Sequence, residues 1–434
     1  MNAAAPAPGA RARTYRVEVL GCKVNQCEAR QAERILDDAG LRPAAPGEAA
    51  DVSVVHSCAV TAEALRQSLQ RLRRAARAGG RAVLSGCGAA ADAAAAGHLP
   101  GAAAVPAGPD WAAAFARAAR EWAGATVARC RRPAPGPAGA PARAFLKIQD
   151  GCDRRCAYCI VPRLRGPSRD RPADEVIAEA ARLAAAGHRE IVVTGVHAGL
   201  YGGDGARAAL PRLLERLAAT PGLERIRMSS LHPAELTPEL LRAWADAPAV
   251  APHVHLPLQS GSDRVLRRMR RGYTADGFRA AVARARAALD RPSFTTDVIA
   301  GFPGETDDDF EATLALCREI GFGRVHVFPF SPRPGTAAAA MEGQATSEAI
   351  RRRARRARQV AAKLAEAFHR AAVGQNVRVL CETRDPATGE WSGYGERYVP
   401  VRFAGPAGLE GRVVPVRLTS SDARGAHGEA AGGE

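Results

Sequence analysis

Ala144-Phe145-Leu146-Lys147-Ile148-Gln149-Asp150-Gly151-Cys152-Asp153-Arg154-Arg155-Cys156-Ala157-Tyr158-Cys159-Ile160-Val161-Pro162 is a strand-like run that empties into three cysteines spaced C-x-x-x-C-x-x-C. No fourth cysteine or histidine follows closely. A structural zinc site wants four ligands in a closed tetrahedron, and a [4Fe–4S] cluster is usually held by four thiolates. Three thiolates on one short loop therefore leave one iron of a cluster open to something that is not protein, a place for chemistry rather than for stapling a fold. The plainer alternatives are a zinc knuckle completed by a distant ligand, or three unrelated buried cysteines. Three cysteines so closely spaced on a loop favour the cluster.

Working outward, the run over 144–149 is the first of six strand-like runs, followed by 190–194, 225–229, 253–257, 294–299 and 324–330. Helical stretches separate them, and alternation on this scale predicts a partial (β/α)6 barrel over 143–345. In such barrels chemistry sits at the carboxyl-terminal rim, where the loop of Cys152, Cys156 and Cys159 belongs. Polar or glycine-bearing segments also fall at strand ends: Thr194-Gly195-Val196-His197, Ser229-Ser230-Leu231-His232, Leu258-Gln259-Ser260-Gly261-Ser262 and Gly301-Phe302-Pro303-Gly304-Glu305. Each alone is ordinary loop and helix-capping chemistry; together they outline a polar cavity, with Thr194, Gly195, Ser229, Ser230 and Gln259 as its candidate lining.

Upstream, 14–130 predicts a separate α/β domain with a parallel sheet. Its cysteines are informative by position: Cys22 follows the first strand, Cys58 the second and Cys87 the third. Ligands gather beyond the carboxyl ends of parallel strands, so three loops bring three thiolates to one edge as a second three-cysteine site. Cys27, Cys130, Cys317 and Cys381 show no such pattern and are expected to be ordinary.

The remainder is organised simply. Residues 1–13 are an Ala/Pro-rich tail expected to be disordered, and 131–142 form a Pro/Gly linker. A basic helix over 346–373 carries an apolar stripe, with Arg351, Arg352, Arg353, Arg355, Arg356 and Arg358 crowding the rest. Residues 374–420 alternate as a small all-β barrel, and 421–434 are expected to be a disordered tail. The 434-residue chain carries 61 Lys+Arg against 45 Asp+Glu, a net charge of +16. This fits a polyanionic partner, although Ala, Arg, Gly and Pro are all abundant. Ten cysteines are too sparse for a disulfide scaffold. No apolar run reaches the ~18 residues of a membrane helix, and the N-terminus lacks a signal core, so a cytoplasmic protein with no membrane partner is expected.

The C-x-x-x-C-x-x-C motif with Tyr158 before its last cysteine resembles the radical S-adenosylmethionine (SAM) enzymes. Its wider context resembles the methylthiotransferases: Gly-Cys-Lys-Val-Asn at 21–25, Ser-Cys-Ala-Val-Thr at 57–61, Ser-Gly-Cys at 85–87, Ile-Val-Pro-Arg-Leu-Arg-Gly at 160–166, Pro-Leu-Gln-Ser-Gly-Ser at 257–262, Met-Arg-Arg-Gly-Tyr-Thr at 269–274 and Thr-Asp-Val-Ile-Ala-Gly-Phe-Pro-Gly-Glu-Thr at 296–306. The likeness runs in register over about 15–418. It implies an N-terminal cluster domain, a radical-SAM barrel and a C-terminal TRAM domain. Cys-Lys-Val-Asn and Thr-Gly-Val-His resemble the branch acting on N6-threonylcarbamoyladenosine at position 37 of tRNA; sister branches modify isopentenyladenosine in tRNA or a ribosomal protein. Two residues depart from this branch: Cys27 stands where it usually has tyrosine, and Gly88 replaces its usual aromatic.

The resemblance further implies two [4Fe–4S] clusters and SAM as cofactors. Cys152, Cys156 and Cys159 hold the first cluster, whose open iron chelates SAM and cleaves it reductively to methionine and a 5′-deoxyadenosyl radical. That radical abstracts hydrogen from carbon 2 of the adenine. Cys22, Cys58 and Cys87 hold a second cluster that presents sulfur, and a second SAM supplies the methyl group. Tyr158 contacts the SAM adenine through its backbone; Thr194, Gly195, Ser229, Ser230 and Gln259 are the pocket candidates. The partners implied are the tRNA anticodon arm, an electron donor and a sulfur donor. A non-catalytic iron–sulfur RNA-binding sensor is the rival of another class.

Overall fold

A computed structural model describes residues 13–124, 142–203 and 208–431. The linker expected over 131–142 and the tail over 1–13 fall almost wholly outside the described residues, as does Cys130. The chain forms two compact units. One holds the described residues before 135 with 150–169 and 331–336; the other holds 142–149, 170–330 and 337 onward.

In the first unit, alternating strands and helices run β1 (Thr14–Val19), α1 (Lys23–Asp38), β2 (Arg42–Pro43), β3 (Val52–Ser57), α2 (Ala62–Arg77), β4 (Arg81–Gly86), α3 (Cys87–Ala91), α4 (Ala94–Gly97), β5 (Ala103–Pro106) and α5 (Trp111–Ala123). The sheet order is β2-β1-β3-β4-β5. Every pair is parallel, with β3 central between β1 and β4. β3 and β4 are buried along almost their whole length, including the polar Ser57, His56 and Ser85, as inner strands of a parallel sheet are. The α5 stripe of Trp111, Phe115, Ala119 and Trp122 packs with Tyr15, Leu36, Val54 and Val83 into the core. The edge strands β2 and β5 were not legible in sequence: one has two residues and the other is Ala-Ala-Val-Pro.

The second unit begins with β6 (Arg143–Asp150), whose last residue already belongs to the first unit, as do α6 (Val161–Arg165) and the start of β7 (Arg169–Asp170). It continues through α7 (Ala173–Ala185), β8 (Glu190–Gly195), α8 (Ala209–Ala218), β9 (Arg225–Met228), α9 (Pro238–Ala245), β10 (His253–His255), α10 (Asp263–Met269), α11 (Ala275–Ala288), β11 (Ser293–Ala300), α12 (Asp307–Ile320) and β12 (Arg324–Pro329). The sheet β7-β6-β8-β9 and the sheet β10-β11-β12 are joined through parallel bridges Ile226↔Val250 and Ser230↔His255. Six long-sheet strands, β6, β8, β9, β10, β11 and β12, thus form the curved partial barrel that the alternation predicts. Its interior and helix layer merge in one core, including Leu146, Ile191, Ile226, Val254, Phe278 and Phe294.

Next comes α13 (Ser347–Ala372), capped by the Thr346 side chain, which accepts from Ala349 N. The six arginines expected to form one cationic surface are divided by the fold. Arg353 is buried and pairs with Glu305 at 3.1 Å and Asp307 at 2.7 Å. Arg352 lies 3.9 Å from Asp307 and Arg356 2.9 Å from Glu311. Only Arg351, Arg355 and Arg358 have no carboxylate partner among the described residues, and they line a groove of about 470 Å³ with Pro329 and Gln359.

The C-terminal strands β13 (Asn376–Arg384), β14 (Glu390–Tyr394), β15 (Pro400–Ala404), β16 (Val413–Asp422) and β17 (Gly425–Ala430) close into a barrel ordered β13-β14-β15-β17-β16. This corrects the disordered tail expected over 421–434. Gly425–Ala430 pairs parallel with β15 and antiparallel with β16, and Ala426 is buried. Its Gly/Ala-rich sequence shows no strand pattern because the segment is held by backbone ladders on both sides, closing edges that would otherwise be open.

The amino-terminal floor of the large barrel is polar. Glu190, fully buried, lies 3.1 Å from Arg225, 3.2 Å from Arg227 and 3.7 Å from Arg143. These arginines reach into the small barrel: Arg225 donates to Tyr394 O, Arg227 to Gly395 O and Glu396 O, and Arg143 pairs with Glu382. Tyr398 stacks on Tyr394 and on His253, with the Arg143 and Arg227 guanidiniums over its ring. The small barrel is therefore docked through three arginines that share one buried carboxylate, Arg143 having Glu382 as a second.

Candidate functional site

The first unit carries both cysteine sets. β1, β3 and β4 are adjacent and parallel, so their carboxyl ends share one edge, as the strand-end placement of Cys22, Cys58 and Cys87 predicts. Cys22 is the N-cap of α1 and Cys87 opens α3. Cys22 is exposed, whereas Cys58 and Cys87 are buried. Gly21 stands at φ +108°, where a Cβ would lie 2.8 Å from Cys58 Cβ and 3.0 Å from its Sγ. Glycine is what lets the first strand end approach the second cysteine so closely.

Burial raises the Cys58 thiol, and raises Cys87 to about 12 against the opposing pull of the Arg165 guanidinium. Without a metal these two are protonated thiols, and they become ligands by losing that proton to metal binding. Among the described residues no three Cys, His, Asp or Glu side chains converge on one point as a single metal ion would require. Three thiols on the ends of three adjacent strands are the donor set that a [4Fe–4S] cluster with one open iron takes.

The set of Cys152, Cys156 and Cys159 sits on the loop after β6. Gly151, at φ +71°, turns the chain against Pro167 O, where any Cβ would collide. Cys152 N donates to Gly166 O at 3.1 Å, Cys159 N to Cys156 O at 3.0 Å, and Ser168 N to Asp153 Oδ1 at 3.1 Å. The loop and α6 are thus closed by residues that follow the helix, and Cys152, Cys156 and Cys159 are all half-buried. Tyr158 is also half-buried.

Sequence reasoning missed the residue between the sets. Arg165, at the end of the Ile-Val-Pro-Arg-Leu-Arg-Gly motif, is 2% exposed. Its Nε donates to Cys87 Sγ at 3.1 Å, its Nη1 to Glu28 at 2.7 Å and Asp150 at 2.9 Å, and its Nη2 to Glu28 at 2.8 Å and Asn25 at 3.1 Å. Glu28 also faces His56 Nε2 at 3.1 Å. The only sequence signal was an arginine inside a motif otherwise read for its cysteines.

Gly88, one of the two departures, is explained locally. A Cβ there would lie 2.7 Å from Ser57 Cβ, so with Ser57 in place an aromatic side chain has no room. Cys27 is half-buried on α1, and Cys317 and Cys381 are buried, their thiols raised to about 12 by burial.

In the second unit, Thr194, Gly195, Ser229 and Gln259 fall at the carboxyl ends of barrel strands. Thr194 is buried, and a Cβ on Gly195 would lie 3.0 Å from Gln149 Oε1, an atom that accepts from His197 N at 2.8 Å. Ser229 Oγ is buried without a hydrogen-bond partner among the described residues, an orphan suited to a bound ligand. Gln259 takes φ +63° and bridges Val298, donating its N–H to Asp297 O at 2.8 Å. Ser230 is exposed, contributing backbone to the bridge with His255. Unforeseen polar pairs join them: His197 with Glu235, and His255 with Asp297 at 3.3 Å.

Comparison with known proteins assigns these features. Residues 146–317 match the Radical SAM superfamily and 14–105 match the Uncharacterized protein family UPF0004. A radical S-adenosylmethionine methyltransferase, TsrM, from Kitasatospora setae shares the fold at TM-score 0.54 over 74% of each chain, with 16% identity. The fold and the cysteine loop thus define a radical-SAM enzyme. Two similar proteins are named tRNA-2-methylthio-N(6)-dimethylallyladenosine synthase. The one from Chloroflexus aurantiacus is 37% identical over 95% of this chain and 90% of its own length. The one from Novosphingobium aromaticivorans is 34% identical over 96% and 97%. The chain belongs to the radical-SAM tRNA methylthiotransferase family, whose cofactors are SAM and two [4Fe–4S] clusters. Those relatives' names carry the dimethylallyl nucleoside of a sister branch, not the threonylcarbamoyl nucleoside expected from Cys-Lys-Val-Asn.

Proposed function

We propose that the chain inserts a methylthio group at carbon 2 of an N6-modified adenosine in the anticodon arm of tRNA, in the cytoplasm. The observation that carries this is the pair of three-cysteine sets in one compact unit, on a chain alike from end to end to tRNA methylthiotransferases. Cys152, Cys156 and Cys159 would hold the cluster at which SAM is cleaved, and Cys22, Cys58 and Cys87 the cluster that supplies sulfur. Bound there, the clusters deliver one-electron cleavage of SAM and a sulfur atom at an open iron. The chain's own part is positional. The closed loop from Gly151 to Gly166 fixes three thiolates. Gly21 gives Cys58 its space, and Ser229, Thr194, Gly195, Gln259 and Ser230 are proposed for the SAM pocket, with the Tyr158 backbone toward its adenine.

The relatives support N6-dimethylallyladenosine as the acceptor. A second reading, N6-threonylcarbamoyladenosine, is supported by Cys22-Lys23-Val24-Asn25 and Thr194-Gly195-Val196-His197, the two stretches that resemble that branch. Nucleoside mass spectrometry of tRNA from cells with and without the gene tests both. Loss of the methylthio-dimethylallyl nucleoside supports the first reading, loss of the methylthio-threonylcarbamoyl nucleoside supports the second, and loss of neither overturns the proposal.

For the tRNA, Arg351, Arg355 and Arg358 form the unpaired cationic row best suited to backbone phosphates. Replacing all three with alanine is expected to weaken tRNA binding uniformly across sequences. The slope of log K against log salt should flatten by about two to three, measured by fluorescence anisotropy between low and moderate salt. The paired Arg352 and Arg356 should contribute far less.

A further inference from the structure

Arg165 follows the loop of Cys152, Cys156 and Cys159, and its side chain reaches Cys87 of the set formed by Cys22, Cys58 and Cys87. It leaves α6 six residues after Cys159, and its guanidinium is enclosed by Cys87, Glu28, Asn25 and Asp150. Its Nη1 and Nη2 atoms are committed to Glu28, Asp150 and Asn25, which orients Nε at Cys87 Sγ, 3.1 Å away. The Glu28 oxygen that accepts from Nη2 also faces His56 Nε2 at 3.1 Å, which helps hold the carboxylate in place. A buried cation needs one carboxylate for neutrality; here two carboxylates and an amide are spent on aiming one N–H at one sulfur.

We propose that Arg165 is a positioning residue that sets the reduction potential of the cluster held by Cys22, Cys58 and Cys87, through its N–H···S bond to Cys87 and its balance of charge with Glu28. The inference rests on the ligand assignment proposed above. One-electron reduction adds one negative charge to such a cluster, spread largely over its sulfurs. A donor and a cation aimed at a ligating sulfur stabilise that added charge and raise the potential, as hydrogen bonds to cluster sulfurs do in general. Glu28 acts in the opposite sense, cancelling part of the guanidinium charge.

The test uses the full-length chain with Cys152, Cys156 and Cys159 all changed to alanine, reconstituted anaerobically with iron and sulfide, so that only the second cluster can assemble. Its midpoint is read by dithionite titration followed by electron paramagnetic resonance. Arg165→Gln is expected to cut the reduced-to-oxidised ratio at a fixed potential at least tenfold, about 59 mV for a one-electron couple. Arg165→Lys, which keeps the charge but not the aimed fork, should lower it by less. Glu28→Gln, close in shape and able to keep the packing, should shift the midpoint upward. A purely structural role would change iron content or melting temperature without these opposed signs. If the parent triple variant binds no four-iron cluster, the ligand assignment fails. If it does, and Glu28→Gln leaves the midpoint unchanged or lower, or a folded Arg165→Gln leaves it unchanged, the inference about Arg165 is overturned. Should Arg165→Gln not fold, the sign of the Glu28→Gln shift decides alone.

Discussion

Cys156→Ala is expected to abolish reductive cleavage of SAM, and Cys58→Ala to leave cleavage intact while stopping methylthiolation. The asymmetry follows from where the two cysteines sit. Cys156 lies on the self-closed loop between Gly151 and Gly166, and removing it leaves two thiolates for a cluster that needs three. Cys58 is at the end of β3, one of three strand ends that meet at a shared edge, and the loop does not depend on it. Each variant should retain about four of about eight irons, since each [4Fe–4S] cluster carries four. The checks are 5′-deoxyadenosine release on reduction, methylthio nucleoside formed, and iron and sulfide per chain. Cleavage retained in Cys156→Ala, or lost in Cys58→Ala, would show that the sets had been assigned the wrong way round. A chain that binds both clusters but never cleaves SAM would instead be the iron–sulfur RNA-binding sensor.

Glu190→Gln is expected to cost about 3–5 kcal/mol, because it leaves Arg225 and Arg227 at the barrel floor without their buried counter-charge and Arg143 with Glu382 alone. The same carboxylate predicts an acid limb. Burial by itself would raise Glu190, but Arg227, Arg143 and Arg225 prevail and hold it at about 2, below its ordinary value of 4.5. A folded-state value below the unfolded one means the stabilisation is fully present above about pH 4.5 and disappears as pH falls toward 2. The change amounts to roughly 3 kcal/mol. Thermal melts of wild type and Glu190→Gln from pH 2 to 7 should converge at the acid end and separate toward neutrality. The iron content of Glu190→Gln should match wild type, since all six cysteines belong to the other unit. Curves that stayed parallel at every pH would refute the floor's role.

Much of this was legible in the chain. Period-two runs separated by amphipathic helices gave the parallel sheet and the partial barrel, and local spacing gave the C-x-x-x-C-x-x-C loop. Cys22, Cys58 and Cys87 were legible because Cys58 and Cys87 directly follow β3 and β4 and Cys22 stands three positions after the last residue of β1. Three features were not. β17 escaped because a Gly/Ala-rich strand is defined by the ladders beside it. The α13 arginines looked like one cationic surface because sequence does not show that Glu305, Asp307 and Glu311 come to face three of them. Arg165 looked like one arginine among many.

The sequence by itself determined which elements form and which residues carry chemistry, because periodicity and cysteine spacing are local properties of the chain. Tertiary structure decided which charges are spent on each other and which stay available. Arg165 meets Glu28 across 137 residues and Cys87 across 78, and Arg227 meets Gly395 across 168. No local pattern encodes such pairings, because a buried ion pair is fixed by the packing that excludes water around both partners. The loop at Cys152–Cys159 could be read from a dozen letters; the guanidinium that joins it to the second set could be read only after the chain had folded.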